Sequence, residues 1–209
     1  MTIIYPLSFP SVGIISSSFR LVRSVSQSES PFTFAQQTYK HQGERWEGEV
    51  TFKPVRRADA AEIQAFLGEL YGAYGTFLYG DPDFLVQGLR GSGGGTPLVK
   101  GASQTGNTLL IDGLTSATSN VYKKGDYFQL GSGTSSRLYM ITQNINSNTA
   151  GEATLQFVPA LRLSPSDNAA VTFAGAKGLF RASENTAQWD TDSAMIYGIT
   201  FAFKEAVGE

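Results

Sequence analysis

Apolar and polar residues alternate one by one in two segments near opposite ends of the chain. Because successive side chains of a β-strand point to opposite faces, each segment is predicted to be a strand with one buried face. In WEGEVTFKPV, residues 46–55, the buried row is Trp46, Gly48, Val50 and Phe52. In MIYGITFAFKE, residues 195–205, it is Tyr197, Ile199, Phe201 and Phe203. We expect the two strands to pair within one sheet.

One segment between them has helical periodicity instead. We predict a helix over about 58–74, with Asp59 and Glu62 at its capped start and Gly75 as a left-handed stop. Its apolar stripe is expected to cover one face of the sheet. The stripe comprises Ile63, Phe66, Leu67, Leu70, Tyr71 and Tyr74.

From about Gly88 to Ser183 the chain is rich in Gly, Ser, Thr and Asn, with short strand patterns separated by turn residues. This spacing predicts a small antiparallel barrel or sandwich. Because a strand of the first kind follows, we interpret residues 88–183 as a domain inserted into a discontinuous domain of residues 1–87 and 184–209. The predicted strands are NTLLIDG, DYFQLG, RLYMITQNI, ATLQFVPAL, AAVTFAG and GLFRAS.

Charge and composition exclude several classes of protein. The net charge is −2, so no strong positive field attracts nucleic acid, and the absence of cysteine excludes disulfides. Charged residues make up 16% of the chain, below the roughly 25% of ordinary domains. Two explanations stay open, a surface that contacts other subunits and a surface made polar by Ser, Thr and Gly. We expect no signal peptide and no membrane anchor.

The glycine-rich stretch GLRGSGGGTPLVKG, residues 88–101, resembles a phosphate-binding loop only superficially. A P-loop needs glycine, four residues, glycine, lysine and a hydroxyl residue between a strand and a helix. Here Gly101 follows Lys100, and no helical pattern begins nearby. We therefore predict that Gly91 to Thr96 is a flexible link into the insert.

No set of residues predicts catalysis or metal binding. His41 is the only histidine and is expected in a solvated loop. Asp81 and Asp83 are too few for a calcium loop and indicate an Asp-Pro turn. Glu47 and Glu49, about 7 Å apart on one strand, have a separation that glycosidases use, but acidic pairs on wet strand faces are common. We expect no enzyme activity, cofactor or metal.

The order of these elements resembles that of the distal tail proteins, or minor tail hub proteins, of long-tailed bacteriophages (siphoviruses). The resemblance rests on GERWEGEVTFKPV, the helix ending in LYGAYGTFLYGDPD, the β-rich insert with KGDYFQLGSG and RLYMITQN, and the final YGITFAFKEAV. It implies a mainly β fold: a tail-tube-like β-sandwich with one flanking helix, and an inserted small antiparallel barrel, OB-like, or sandwich.

The resemblance also implies a structural role. Such proteins form a ring, usually a homohexamer, that joins the tail tube to tip or baseplate proteins and lets DNA pass through its channel. They lie at the virion tail tip, are assembled in the host cytoplasm, and can contact host-surface sugars through the insert. We predict that residues Phe77 to Phe84 form a loop that joins the helix to the insert and contacts a neighbouring protomer. The interface candidates are Phe77, Tyr79, Asp81 and Asp83.

A second hypothesis is a carbohydrate-binding or carbohydrate-cleaving module. Its sugar platform would consist of Tyr122, Tyr127, Phe128 and Tyr139. These aromatics also suit the core of a barrel, which their alternation along strands favours.

Overall fold

Residues 3–208, which the computed structural model describes, form a mainly β protein with two α-helices. The helices are α1 (Arg57–Glu69) and α2 (Pro82–Gln87). The strands are β1 (Leu7–Ser8), β2 (Ile14–Glu29), β3 (Gln36–Phe52), β4 (Phe77–Tyr79), β5 (Leu98–Val99), β6 (Thr108–Asp112), β7 (Tyr127–Leu130), β8 (Arg137–Ile141), β9 (Ala153–Val158), β10 (Val171–Thr172), β11 (Gly178–Ala182), β12 (Asp190–Thr191), β13 (Tyr197–Gly198) and β14 (Thr200–Glu205).

The first sheet has six strands in the order β1-β4-β11-β14-β3-β2. The alternating segments at the two ends of the chain pair as predicted, with Phe203 opposite Gly48 and Thr200 opposite Thr51. Their apolar rows meet α1 in an aromatic core that includes Phe52, Phe66, Phe77, Phe180 and Phe203. The other face of β3 and β14 carries polar residues, among them Glu49, Thr51 and Thr200.

Helix α1 is shorter than predicted and has different ends. It begins at Arg57 after an extended Arg56 without a side-chain cap, so the predicted capping pair is wrong. It ends at Glu69 because the backbone turns left-handed at Tyr71 and Gly72, with φ of 49° and 65°. Gly75 instead donates its N–H to the carbonyl of Leu70 at 2.7 Å.

Two further elements differ from the sequence-based prediction. The segment Phe77–Phe84, expected to be a loop, contains β4 and the start of α2, a second helix that was not predicted. The segment GLFRAS, assigned to the insert, forms β11, which pairs with β4 and β14 in the first sheet. Strand partners that lie far apart in sequence leave no local signal, so the pattern alone could not place this strand.

The second sheet has six strands in the order β10-β7-β8-β9-β6-β5, all antiparallel. Its edges approach each other: the amide of Val99 donates to the carbonyl of Ala169 at 2.9 Å, and that of Val171 to Pro97 at 3.1 Å. The sheet therefore curves into a nearly closed barrel, as predicted. A second apolar cluster, including Leu109, Phe128 and Phe157, fills its interior.

A buried junction fixes the barrel against the first sheet. The Arg162 guanidinium makes two hydrogen bonds to the Glu205 carboxylate, at 3.2 and 2.7 Å, and both side chains are nearly buried. The same carboxylate accepts the amide of Trp46 at 3.0 Å. The indole of Trp46 donates to the carbonyl of Leu138 at 2.9 Å.

Candidate assembly surface

A long hairpin extends from one edge of the first sheet. Strands β2 and β3 pair from Ile14 and Phe52 out to Glu29 and Gln36. We call residues 22–43 the arm. Every residue of the arm is exposed except Ser30, which is half-buried. An isolated two-stranded ribbon is only marginally stable in water, so a contact surface is the simplest role for a ribbon of this length.

The tip of the arm is a turn of residues 30–35 that presents two aromatic rings. The Ser30 amide donates a hydrogen bond to the carbonyl of Ala35, and the Ser30 carbonyl accepts one from the amide of Phe34, both at 2.9 Å. Phe34 has a φ of 54°, a left-handed conformation that is rare for a bulky residue. Phe32 and Phe34 are 92% and 73% exposed. Two large apolar rings at one turn form a hydrophobic patch.

Ion pairs brace the base of the arm. The buried Glu44 carboxylate lies 3.5 Å from Arg23 and 3.4 Å from Lys40. It also accepts the amide of Ala160, next to the barrel, at 3.3 Å. At the same level β3 has extra residues opposite Ser24, a bulge that changes the course of the ribbon.

Glu47, one of the two carboxylates considered for catalysis, is held by two arginines. Its oxygens lie 3.1 Å from Arg20 and 2.6 Å from Arg45. Burial alone would raise the pKa of Glu47, but the hydrogen bonds and charges of Arg45 and Arg20 outweigh it and lower that pKa. A carboxylate that stays ionised in this way cannot serve as a general acid.

Glu49 faces a different environment. It lines a cavity of about 220 Å³ beside Glu184 and the half-buried Phe201, and Glu47 is not part of that lining. The two carboxylates of the sequence-based hypothesis therefore do not share one cavity.

His41 lies in β3 on the arm, not in a loop, which corrects the sequence-based expectation. Its Nε2 atom is 2.8 Å from the hydroxyl of Ser26, and its ring meets that of Tyr39 edge-on. Within residues 3–208, no carboxylate is hydrogen-bonded to this ring. A Ser-His pair exposed on both sides and without an orienting acid is a cross-strand contact, not a catalytic triad.

The four predicted interface residues have different locations. Phe77 and Tyr79 are buried in the core, where Tyr79 donates to the hydroxyl of Ser17 at 2.9 Å, and burial raises its pKa to about 12. Their side chains therefore pack within this chain. Asp81 caps α2 by accepting the amide of Asp83 at 3.0 Å, and both aspartates are accessible. An interface role for these two aspartates stays a prediction.

The aromatic residues considered as a sugar platform are in the interior. Tyr122 stacks on Phe173 with ring centroids 3.7 Å apart, and Phe128 packs against Tyr139. Burial raises the pKa of Tyr122, Tyr127 and Tyr139. Tyr122, Tyr127, Phe128 and Tyr139 are all less than 10% exposed. The interpretation as barrel core is confirmed for Tyr122, Phe128 and Tyr139, whereas Tyr127 packs against Trp46 and Phe84 in the core of the first sheet.

The glycine-rich stretch is not a flexible link. The buried Asp126 carboxylate accepts the amides of Arg90, Gly91 and Lys123 at 2.9, 3.3 and 2.8 Å. Gly93 bonds the carbonyl of Val121, and Gly95 approaches Gly113 too closely to admit a Cβ atom. The glycines allow the backbone to pack closely against the barrel. The group that accepts the amides of this stretch is the Asp126 side chain of the same chain.

Neither a metal-binding cluster nor a membrane-spanning helix occurs among the described residues. Residues 3–208 contain no cluster of three or more His, Cys, Asp or Glu side chains that could hold a metal ion. Neither helix described here is long and apolar enough to cross a membrane.

The segment of the second sheet matches a known family. Residues 87–176 match the family model described as distal tail protein pb9, B domain. This segment is similar to the B domain of a phage distal tail protein. The matched segment is less than half of the chain and includes all six strands of the second sheet, from Leu98 to Thr172. No curated protein matches this chain.

The match confirms the resemblance to distal tail proteins that the order of elements indicated. It supports a structural role in a phage tail, which is consistent with a protein that is not an enzyme. The arm is the feature that sequence reasoning missed. Its strands read SVSQSES and QQTYKHQ, without an apolar row, because neither face of the ribbon is buried. The sequence feature that could have indicated the arm is PFTF, residues 31–34, in which two phenylalanines follow a proline within a polar stretch.

Proposed function

We propose that this chain forms a ring at the distal end of a long phage tail, where it joins the tail tube to tip or baseplate proteins and encloses a channel for DNA. The observation that carries this proposal is the match of residues 87–176 to the B domain of a distal tail protein. The ring is a homohexamer, assembled in the host cytoplasm and carried at the tail tip of the virion.

The proposed division of the chain follows from its sheets. The first sheet draws its strands from residues 7–79 and 178–205, and the second from residues 98–172. We therefore propose a discontinuous tube-like domain of residues 1–87 and about 178–209, with an OB-like insert between its parts. This moves the end of the insert from residue 183 to about 177, since β11 pairs within the first sheet.

Two features of the first domain support assembly into a ring. Strand β2 is a sheet edge of 16 residues, and an unpaired edge is a template for contact with another chain. Residues 24–39 of the arm carry one ionised group, Glu29, in keeping with the depletion of charge in interface cores. A ring needs contacts between different surfaces of neighbouring copies.

Sugar binding is not part of this proposal. The four aromatics that would form the platform are buried, so no observation favours it.

Microscopy of the purified chain tests the ring. We expect class averages of closed rings at high protein concentration, with a mass that gives the number of copies. A variant in which residues 24–39 are replaced by Asn-Gly should stay monomeric with a melting temperature near that of the natural chain, because the arm lies outside both cores. Persistent monomers of the natural chain, or rings of the shortened one, would contradict the proposal.

A further inference from the structure

A second exposed aromatic surface lies at the end of the first sheet that is opposite the arm. We call Ile4, Tyr5, Tyr71 and Tyr74 the tyrosine patch. Ile4, Tyr71 and Tyr74 are 83%, 69% and 76% exposed. Tyr5 meets the ring of Tyr74 edge-on at 6.0 Å and donates its hydroxyl to the carbonyl of Glu69 at 2.6 Å. Exposed aromatics held in place like this are typical of the centres of protein interfaces.

The arm cannot reach the tyrosine patch of its own chain. The first sheet is curled, so that Tyr79 of β4 contacts Ser17 of β2, and the tip of the arm begins about 40 Å beyond Ser17 along β2. The arm and the patch lie at opposite ends of the sheet. Strand register shows that β4 runs toward the arm, and the patch is at its beginning.

Charge favours a protein as the occupant of both surfaces. Residues 3–9 and 71–76 contain no ionisable side chain other than tyrosine, and the arm tip from Ser30 to Ala35 contains none. A nucleic acid or an anionic membrane would require clustered cations, which neither surface has. Two aromatic surfaces with few charges complement each other.

The size of the arm suits a subunit contact. From Val22 to Ser30 it extends about 30 Å, and with a width of about 10 Å its two faces present about 600 Å². A standard interface buries about 800 Å² on each partner. The arm is therefore large enough to supply most of the area of a stable contact when both of its faces are covered.

We propose that the arm tip of one copy docks on the tyrosine patch of a second copy. Phe32 and Phe34 pack on Tyr71 and Tyr74, and the copies are displaced along the strand direction as well as across it. The contact joins two different surfaces at opposite ends of the strands, so it can propagate from copy to copy around a ring. This inference rests on the proposed function in assuming that copies touch, and it adds which surfaces meet.

The natural chain has no cysteine, so single cysteines report contacts without background. Chains with Phe34→Cys and with Tyr74→Cys are purified separately, one carrying a tag, then mixed and oxidised. The control pair is Phe34→Cys with Leu163→Cys, since Leu163 lies on the insert and is 70% exposed. We expect the Phe34→Cys and Tyr74→Cys pair to give at least about tenfold more mixed disulfide dimer than the control pair. Phe32→Ser with Phe34→Ser should weaken self-association by about tenfold or more, whereas Leu163→Ser should not.

Cross-linking of Phe34→Cys to itself or to Leu163→Cys as readily as to Tyr74→Cys overturns the inference. Rings in the microscope without the Phe34–Tyr74 cross-link overturn the docking and leave the proposed function standing. If neither rings nor cross-links form, both fail.

Discussion

Replacing Arg162 by alanine should destabilise the protein severely, since it leaves the Glu205 carboxylate buried without its counterion. The Glu205 side chain is 2% exposed, and without Arg162 it keeps the hydrogen bond from the Trp46 amide. Breaking a buried pair in this way costs about 3–5 kcal/mol. For a chain of this size that lowers the melting temperature by about 6–20 °C.

The exposed pair Arg20–Glu47 provides a matched control. Arg20 is 69% exposed, so Arg20→Ala should cost less than about 1 kcal/mol. Combining Arg162→Met with Glu205→Gln should restore most of the loss, because the charge is removed and an acceptor for the Trp46 amide remains.

Urea unfolding followed by tryptophan fluorescence measures these differences. Because the pair links the two sheets, Arg162→Ala should also separate unfolding into two transitions. An Arg162→Ala chain that unfolds within about 1 kcal/mol of the natural one, or no more easily than Arg20→Ala, would refute the reasoning.

Three further predictions concern the cores and the glycine-rich stretch. Gly48→Ala should cost several kcal/mol in urea unfolding, since a Cβ there would lie 2.1 Å from the Ser18 carbonyl and 2.5 Å from the Phe203 ring; a loss below about 1 kcal/mol contradicts this. Asp126→Ala should cost about 2–4 kcal/mol and speed hydrogen exchange at the amides of residues 90, 91 and 123, because each loses its acceptor; unchanged exchange there would count against it. The pKa of Tyr79 is about 12 in the folded chain and about 10 in the unfolded chain. This difference contributes about 3 kcal/mol to the free energy of unfolding, which is complete below pH 10 and is lost as the pH rises toward 12. The melting temperature should therefore fall less steeply between pH 9 and pH 12 for Tyr79→Phe than for the natural chain. Equal slopes would exclude Tyr79 as a cause of the loss of stability at high pH.

The sequence predicted the longer elements that have one buried face. The inner half of β3 and strand β14 alternate because Val50 and Phe203 face the core while Glu49 and Lys204 do not. The outer half of β3 has no such alternation, because both faces of the arm are wet, and the arm was missed. The pairing of β11 across the fold and the left-handed turn at Tyr71 depend on tertiary contacts that no local pattern encodes.

The candidate surface was predicted less well than the fold. Phe77 and Tyr79 were chosen because they follow the helix, but aromatic residues at that point also suit a short central strand, and the structure buries them. Phe32 and Phe34 lacked any strand or helix pattern around them. Their exposure could be recognised only once the hairpin was known.

Antibody labelling of virions by electron microscopy tests the central claim, a structural role at the tail tip, most directly. Gold-labelled antibody against this chain should mark one end of the tail, opposite the capsid. Label on the capsid or along the tail shaft, or intact virions that lack the chain, would contradict the account.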